Sequence, residues 1–198
     1  TPENSIKVVN ITLPATAVGK QVYSVNISKL EKEINIDNNS RAFGIEVIDE
    51  STNIIIVSAI THPDIGFLKK TIGSNLQRKV SVKKPNEVTN LNDYQLVILY
   101  QPQTSFKRIY DELRLLQKNT LTITGSKTNW NFLNGIQNTF RKQITNTTQE
   151  FGADFNQGFQ LFQIDDLGFS NFPPLEDIFG DIVINKPSHN LINQTING

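Results

Sequence analysis

Apolar positions follow two regimes along this chain. Before residue 50 they alternate with polar ones over Ile6 to Leu13, Gln21 to Ile27 and Ala42 to Ile48, the period of strands with one face in water. Asp37-Asn-Asn-Ser40 separates the last two and reads as a hairpin connection. Three such strands make an incomplete sandwich. Residues 1–50 are therefore expected to be the C-terminal strands of an immunoglobulin-like β-module, with the earlier strands upstream of Thr1.

From residue 51, short apolar runs take turns with helical stripes. Ile54 to Val57, Lys79 to Val82, Tyr94 to Tyr100 and Leu121 to Thr124 predict strands, and the near-continuous runs among them suit a parallel sheet covered on both faces. Ile65, Leu68, Ile72 and Leu76 form one stripe behind a Pro63-Asp64 helix start. Phe106, Ile109, Tyr110, Leu113 and Leu116 form a second, and Trp130, Leu133, Ile136 and Phe140 a third, capped by Thr128 or Asn129. Strands alternating with helices predict an α/β domain over residues 51–198, a parallel sheet with helices on both faces. Its end reads as an irregular C-terminal wrap. Phe159 to Ile164 alternates like an edge strand, Phe169 to Leu175 holds too much proline for regular structure, and Asp181 to Ile184 predicts a last short strand.

Composition narrows the chemistry. Lys+Arg 19 balance Asp+Glu 19, with no long run of either sign, so a nucleic-acid partner is not expected. With Cys 0, thiolate catalysis, disulfides and Cys-ligated metal are excluded. With Met 0, Thr1 is expected to be an internal position of a longer chain. No apolar run approaches the roughly 20 residues that span a bilayer as a helix, so any membrane attachment would use a segment outside these residues.

In an open parallel sheet the carboxyl ends of the strands carry the ligand site. Gly125-Ser-Lys-Thr128 follows such a strand, but it lacks the earlier glycine and the Gly-Lys pair of a phosphate-binding loop. Ser126 also stands where a nucleophile elbow could lie, although Thr124 and Thr128 occupy the places where an elbow needs glycine. Its base would be His62, since the other histidine, His189, sits in a polar tail. The carboxylate pairs Asp49-Glu50, Asp111-Glu112, Asp165-Asp166 and Glu176-Asp177 have no acid/base or metal-cage spacing, because adjacent side chains point apart. No cofactor and no metal site are expected. Phe169, Phe172, Pro173, Pro174, Leu175 and Phe179 read either as a docking surface or as internal packing of the tail.

Residues 53–140 resemble a class I glutamine amidotransferase-like domain, a flavodoxin-like α/β fold. More closely, Leu121-Thr-Ile-Thr-Gly-Ser-Lys-Thr-Asn-Trp-Asn-Phe-Leu133 and Phe172-Pro-Pro-Leu-Glu-Asp177 resemble the extracytoplasmic region of large Gram-negative cell-envelope proteins that carry an aerotolerance-type membrane segment at the N-terminus. The resemblance implies a periplasmic, membrane-tethered location and partners among other envelope proteins or domains of the same chain. Active amidotransferases use a cysteine at the elbow with a downstream His and Glu, and this chain has no cysteine. What carries over is a scaffold without its active site. The leading expectation is a non-catalytic interaction or structural module with a recognition rim of His62, Gln101, Gln103, Ser126, Lys127, Asn129 and Trp130. The alternatives are a serine hydrolase or amidase-like enzyme using Ser126 and His62, and a small-ligand or glycan binder at the same rim.

Overall fold

The computed structural model describes residues 8–14, 17–48 and 51–196, without the side chain of Asn146. The chain divides into two compact units, Thr1–Glu50 and Ser51–Gly198.

In the first unit, β1 (Gly19–Asn26) pairs antiparallel with β2 (Ser40–Val47). Tyr23 stands opposite Phe43, their rings stacked at 6.0 Å, the kind of cross-strand pair that fixes register in a ribbon. A short 3-10 turn, Asp37–Asn39, leads into β2, and the Ile27 amide donates to the Asn39 carbonyl to close the loop. Among the described residues the first of the three expected strands does not form. Ile6 and Lys7 lie outside the described residues, and 8–13 have no regular structure. What is present is a two-stranded ribbon.

In the second unit, β3 (Thr52–Ser58), β4 (Arg78–Lys83), β5 (Leu96–Tyr100) and β6 (Asn119–Ile123) form a parallel sheet in the order β4-β3-β5-β6. Helix α1 (Pro63–Ile72) joins β3 to β4, α2 (Lys107–Leu116) joins β5 to β6, and α3 (Trp130–Ile136) follows β6. The period-2 geometry of β3 and β5 sends alternate residues to opposite faces. Ile54, Ile56, Ile98 and Tyr100 pack with Ile65, Leu68 and Ile72 of α1. On the other face Ile55, Val57, Val97 and Leu99 pack with Phe106, Ile109 and Leu113 at α2 and with Trp130 and Leu133 of α3. Helices therefore cover both faces, and each fully buried Ile or Leu contributes about 1.5–3 kcal/mol.

Helix boundaries follow local chemistry. α1 begins at Pro63, whose missing N–H is no loss in a first turn, and ends at Gly73, so Leu76 falls beyond the helix and is exposed rather than part of its stripe. α2 closes on Gln117, whose φ of 49° is the left-handed C-cap conformation. α3 is capped by Asn129, whose Oδ1 accepts the Phe132 amide at 3.0 Å, while Thr128 instead takes the Gly125 amide on its hydroxyl at 2.9 Å.

The end of the chain departs most from expectation. Phe140 does not continue α3: it opens β7 (Phe140–Phe155), which pairs antiparallel with β8 (Leu175–Ile184) and β9 (Ile192–Ile196) in the order β8-β7-β9. The expected irregular wrap is thus a second sheet. The short strand expected at Asp181 is the end of the longer β8, whereas residues 159–164 form no strand. A register shift between Ile144 and Thr148 bends β7. Gly180 faces this irregularity, where an added Cβ would lie 1.8 Å from the Gln143 carbonyl oxygen. Only glycine permits so close an approach.

Candidate functional site

Two depressions meet at the carboxyl ends of the parallel strands. The first, about 510 Å³, lies between the loops after β3, β5 and β6 and residues of β7, β8 and β9, and it includes His62, Tyr100, Gln101 and Ser126. The second, about 490 Å³, is lined by Gln103, Thr104, the segment from Ser126 to Asn131 and Ile144. The expected rim is therefore split, with Ser126 shared by both halves.

The strained residue of the rim is Gln101, not Ser126. Gln101 follows β5 with φ 46°, whereas Ser126 is absent from the positive-φ positions of the described chain. A left-handed residue without glycine's freedom persists only where its surroundings hold it. Here the Gln101 amide donates to the Ile123 carbonyl at 2.7 Å, and its side-chain Oε1 accepts the Lys127 amide at 2.7 Å. A Cβ on Gly125 would meet the Gln101 carboxamide at 3.0 Å, so this glycine makes room for it. The Pro102 carbonyl completes the link by accepting the Asn129 amide at 2.9 Å. Gln101 thus ties the β5 turn to the β6 loop.

His62 is engaged elsewhere. As the N-cap of α1 its Nδ1 accepts the Asp64 amide at 3.3 Å and lies 3.0 Å from the Tyr100 hydroxyl, which donates to Asp64 Oδ2 at 2.9 Å. Burial is the main cause that pushes the Tyr100 phenol up, and the neighbouring Asp64 carboxylate adds to it. Nδ1 also lies 3.3 Å from Asp64 Oδ2, so this nitrogen is enclosed by the first turn of α1 and the Tyr100 hydroxyl. Among the described residues neither His62 Nε2 nor the Ser126 hydroxyl has a hydrogen-bond partner, so the base and nucleophile of the hydrolase alternative are not joined.

Trp130 does not present its ring to the rim. It is 2% exposed and meets Phe140 edge-on at 6.3 Å, with Lys142 Nζ 5.3 Å from its ring centre. Gln103 reaches the Lys127 carbonyl at 3.5 Å, a long contact, and Lys127 and Asn131 are exposed.

The sheet that closes the cleft brings in a pair that the sequence reading missed. Lys142, with its side chain 1% exposed, binds Asp177 Oδ2 at 2.7 Å, and its backbone exchanges two hydrogen bonds with the Asn134 carboxamide. Its ammonium also faces the rings of Trp130 and Phe151. Asp177 lines the cleft, and its Oδ1 is buried without a hydrogen-bond partner. The signal was present: in a strand, Phe140, Lys142 and Ile144 share one face, which places the lysine between two apolar neighbours.

The other carboxylate pairs are accounted for locally. Lys107 and Arg108 bind Asp111 at 2.8 Å and Glu112 at 3.3 Å along α2, while Glu112 also accepts the Leu91 amide. Asp166 turns the chain by accepting the Gly168 amide at 2.8 Å, and Asp49-Glu50 lies outside the described residues. Phe169 stacks on Phe155 and meets Phe172 edge-on, so part of the aromatic tail packs internally. Among the described residues no helix is long and apolar enough to cross a membrane. No family model matches the chain, and no curated protein matches it either.

Proposed function

We propose that this chain is a non-catalytic interaction module whose recognition surface is the strand-end cleft. The observation that carries this reading is the residue at the strained strand-to-helix turn. A nucleophile elbow places its attacking group at such a turn. The chain places there the carboxamide of Gln101, which is no nucleophile and whose oxygen is already occupied by the Lys127 amide.

The finer fold assignment belongs to the same proposal. The order β4-β3-β5-β6, with α1 on one face and α2 and α3 on the other, supports a flavodoxin-like sheet of the amidotransferase-like kind. The antiparallel ribbon of the first unit is compatible with an immunoglobulin-like remnant. A periplasmic location, membrane tethering and envelope partners rest on the sequence resemblance alone. The roughly 510 Å³ cleft also favours a second reading, a small ligand such as a sugar held among His62, Gln101, Ser126 and Asp177.

Incubation of the chain with a panel of amide and ester substrates is expected to give no turnover above blank, and Ser126→Ala is expected to change nothing. Hydrolysis that disappears in Ser126→Ala would replace this reading with the enzyme one. Location is tested separately: in intact spheroplasts, an externally added protease should digest this region of the full-length protein, and protection until lysis would remove the envelope assignment.

A further inference from the structure

The two edges of the parallel sheet are built differently. β4 carries Arg78, Lys79 and Lys83 along its length, the charged dressing that keeps an edge from pairing with another chain. β6, Asn119-Thr-Leu-Thr-Ile123, carries no charge, and β5 is its only strand neighbour among the described residues. Leu121 in its middle is 46% exposed. Its outward backbone groups are an open template.

Beside the start of this strand lies a depression of about 680 Å³ whose lining includes Arg114, Lys118, Arg141 and Lys186 and no carboxylate. In a chain whose charges balance, this is a local concentration of one sign. Two of the cations are held in place. Arg114 donates to the Ile136 carbonyl at 3.0 Å, with Asp111 3.9 Å from its other terminal nitrogen, and Lys118 donates to the carbonyls of Asn92 and Tyr94 at 2.9 and 3.0 Å. Arg141 and Lys186 are exposed and have no ion-pair or hydrogen-bond partner through their side chains among the described residues.

We propose that the β6 edge and this basic depression together dock an extended acidic polypeptide segment, added as a further strand. Backbone pairing with β6 supplies attachment, and period-2 geometry directs every second side chain of the incoming strand toward the cations. A small polyanion would use the charges but leave the edge open. The site lies apart from the strand-end cleft and does not depend on the function proposed for that cleft.

The test titrates the chain, isotope-labelled for NMR, with an end-capped peptide alternating Glu and Val, with its Lys-Val counterpart and with citrate. The acidic peptide is expected to bind and to shift the backbone amides of residues 119–123, while the basic peptide does not bind. Arg141→Glu combined with Lys186→Glu should weaken binding about tenfold or more, with the rest of the spectrum unchanged. Lys70→Glu, exposed on α1 and outside both depressions, should bind like the parent. Binding that leaves the β6 amides unmoved, citrate binding as tightly as the peptide, or no binding at millimolar peptide would each overturn the proposal.

Discussion

The two sheets of the larger unit solve burial in opposite ways. In the parallel sheet β3 and β5 are buried on both faces beneath helices, and the buried side chains are almost wholly apolar. In the antiparallel sheet Ile182, Val183 and Ile184 at the end of β8 remain about half exposed, and the most deeply buried side chain is the charged Lys142. Strands sheltered twice can be uniform. A strand sheltered once must alternate, and one charged residue on its inner face changes how the whole segment reads.

The comparison can be broken by truncating a side chain in each sheet. Ile98→Ala, in the core of β5, should lower the unfolding free energy by about 4 kcal/mol, whereas Val183→Ala should cost less than about 1 kcal/mol. Urea denaturation of both variants measures the difference, and equal losses would show that the second sheet is as tightly packed as the first. The charged anchor comes next. Lys142→Ala leaves the carboxylate of Asp177 facing the interior unpaired and should cost about 3 kcal/mol. Replacing both, as Lys142→Met with Asp177→Leu, should recover most of that loss, so the same titration separates burial of a lone charge from loss of packing.

A smaller effect belongs to the parallel side. Burial pushes the Tyr110 phenol up to about 12, and its buried hydroxyl has no hydrogen-bond partner among the described residues. The folded chain therefore holds this proton more tightly than the unfolded one. Stability should be insensitive to this group below about pH 10 and should fall by on the order of 2 kcal/mol as pH rises from about 10 to about 12. Tyr110→Phe should lack that alkaline loss. The smallest change is at the end of α2: Gln117→Gly relieves a left-handed backbone and should stabilise by about 0.5 kcal/mol, readable as a slightly higher denaturation midpoint.

The same contrast explains what could be read from sequence. Ile54 to Val57 and Leu96 to Tyr100 announce themselves because burial on both faces leaves an unbroken apolar run. The α2 stripe is legible because one helical face meets the sheet. β7 was hidden because its inner positions include Lys142, and because Phe140 completes a helical stripe with Trp130, Leu133 and Ile136 as readily as it begins a strand. At the site, loop positions after strands followed from topology, so His62, Gln101 and Ser126 were found together. Which of them carries the strained turn was not legible, because φ at Gln101 is imposed by its tie to the β6 loop. Tyr100 and Asp177 reach the cleft through tertiary packing that local pattern does not encode.

The burial of Trp130 has an optical consequence. It is the single tryptophan of the chain, held in the α3 layer with Phe140 against its edge and the Lys142 ammonium at its face. Those neighbours come from the first residues of β7, so the indole is an intrinsic fluorophore stationed at the seam between the parallel and antiparallel sheets of the second unit. Its emission in the native chain should be that of a dry environment, and a red shift should register their separation.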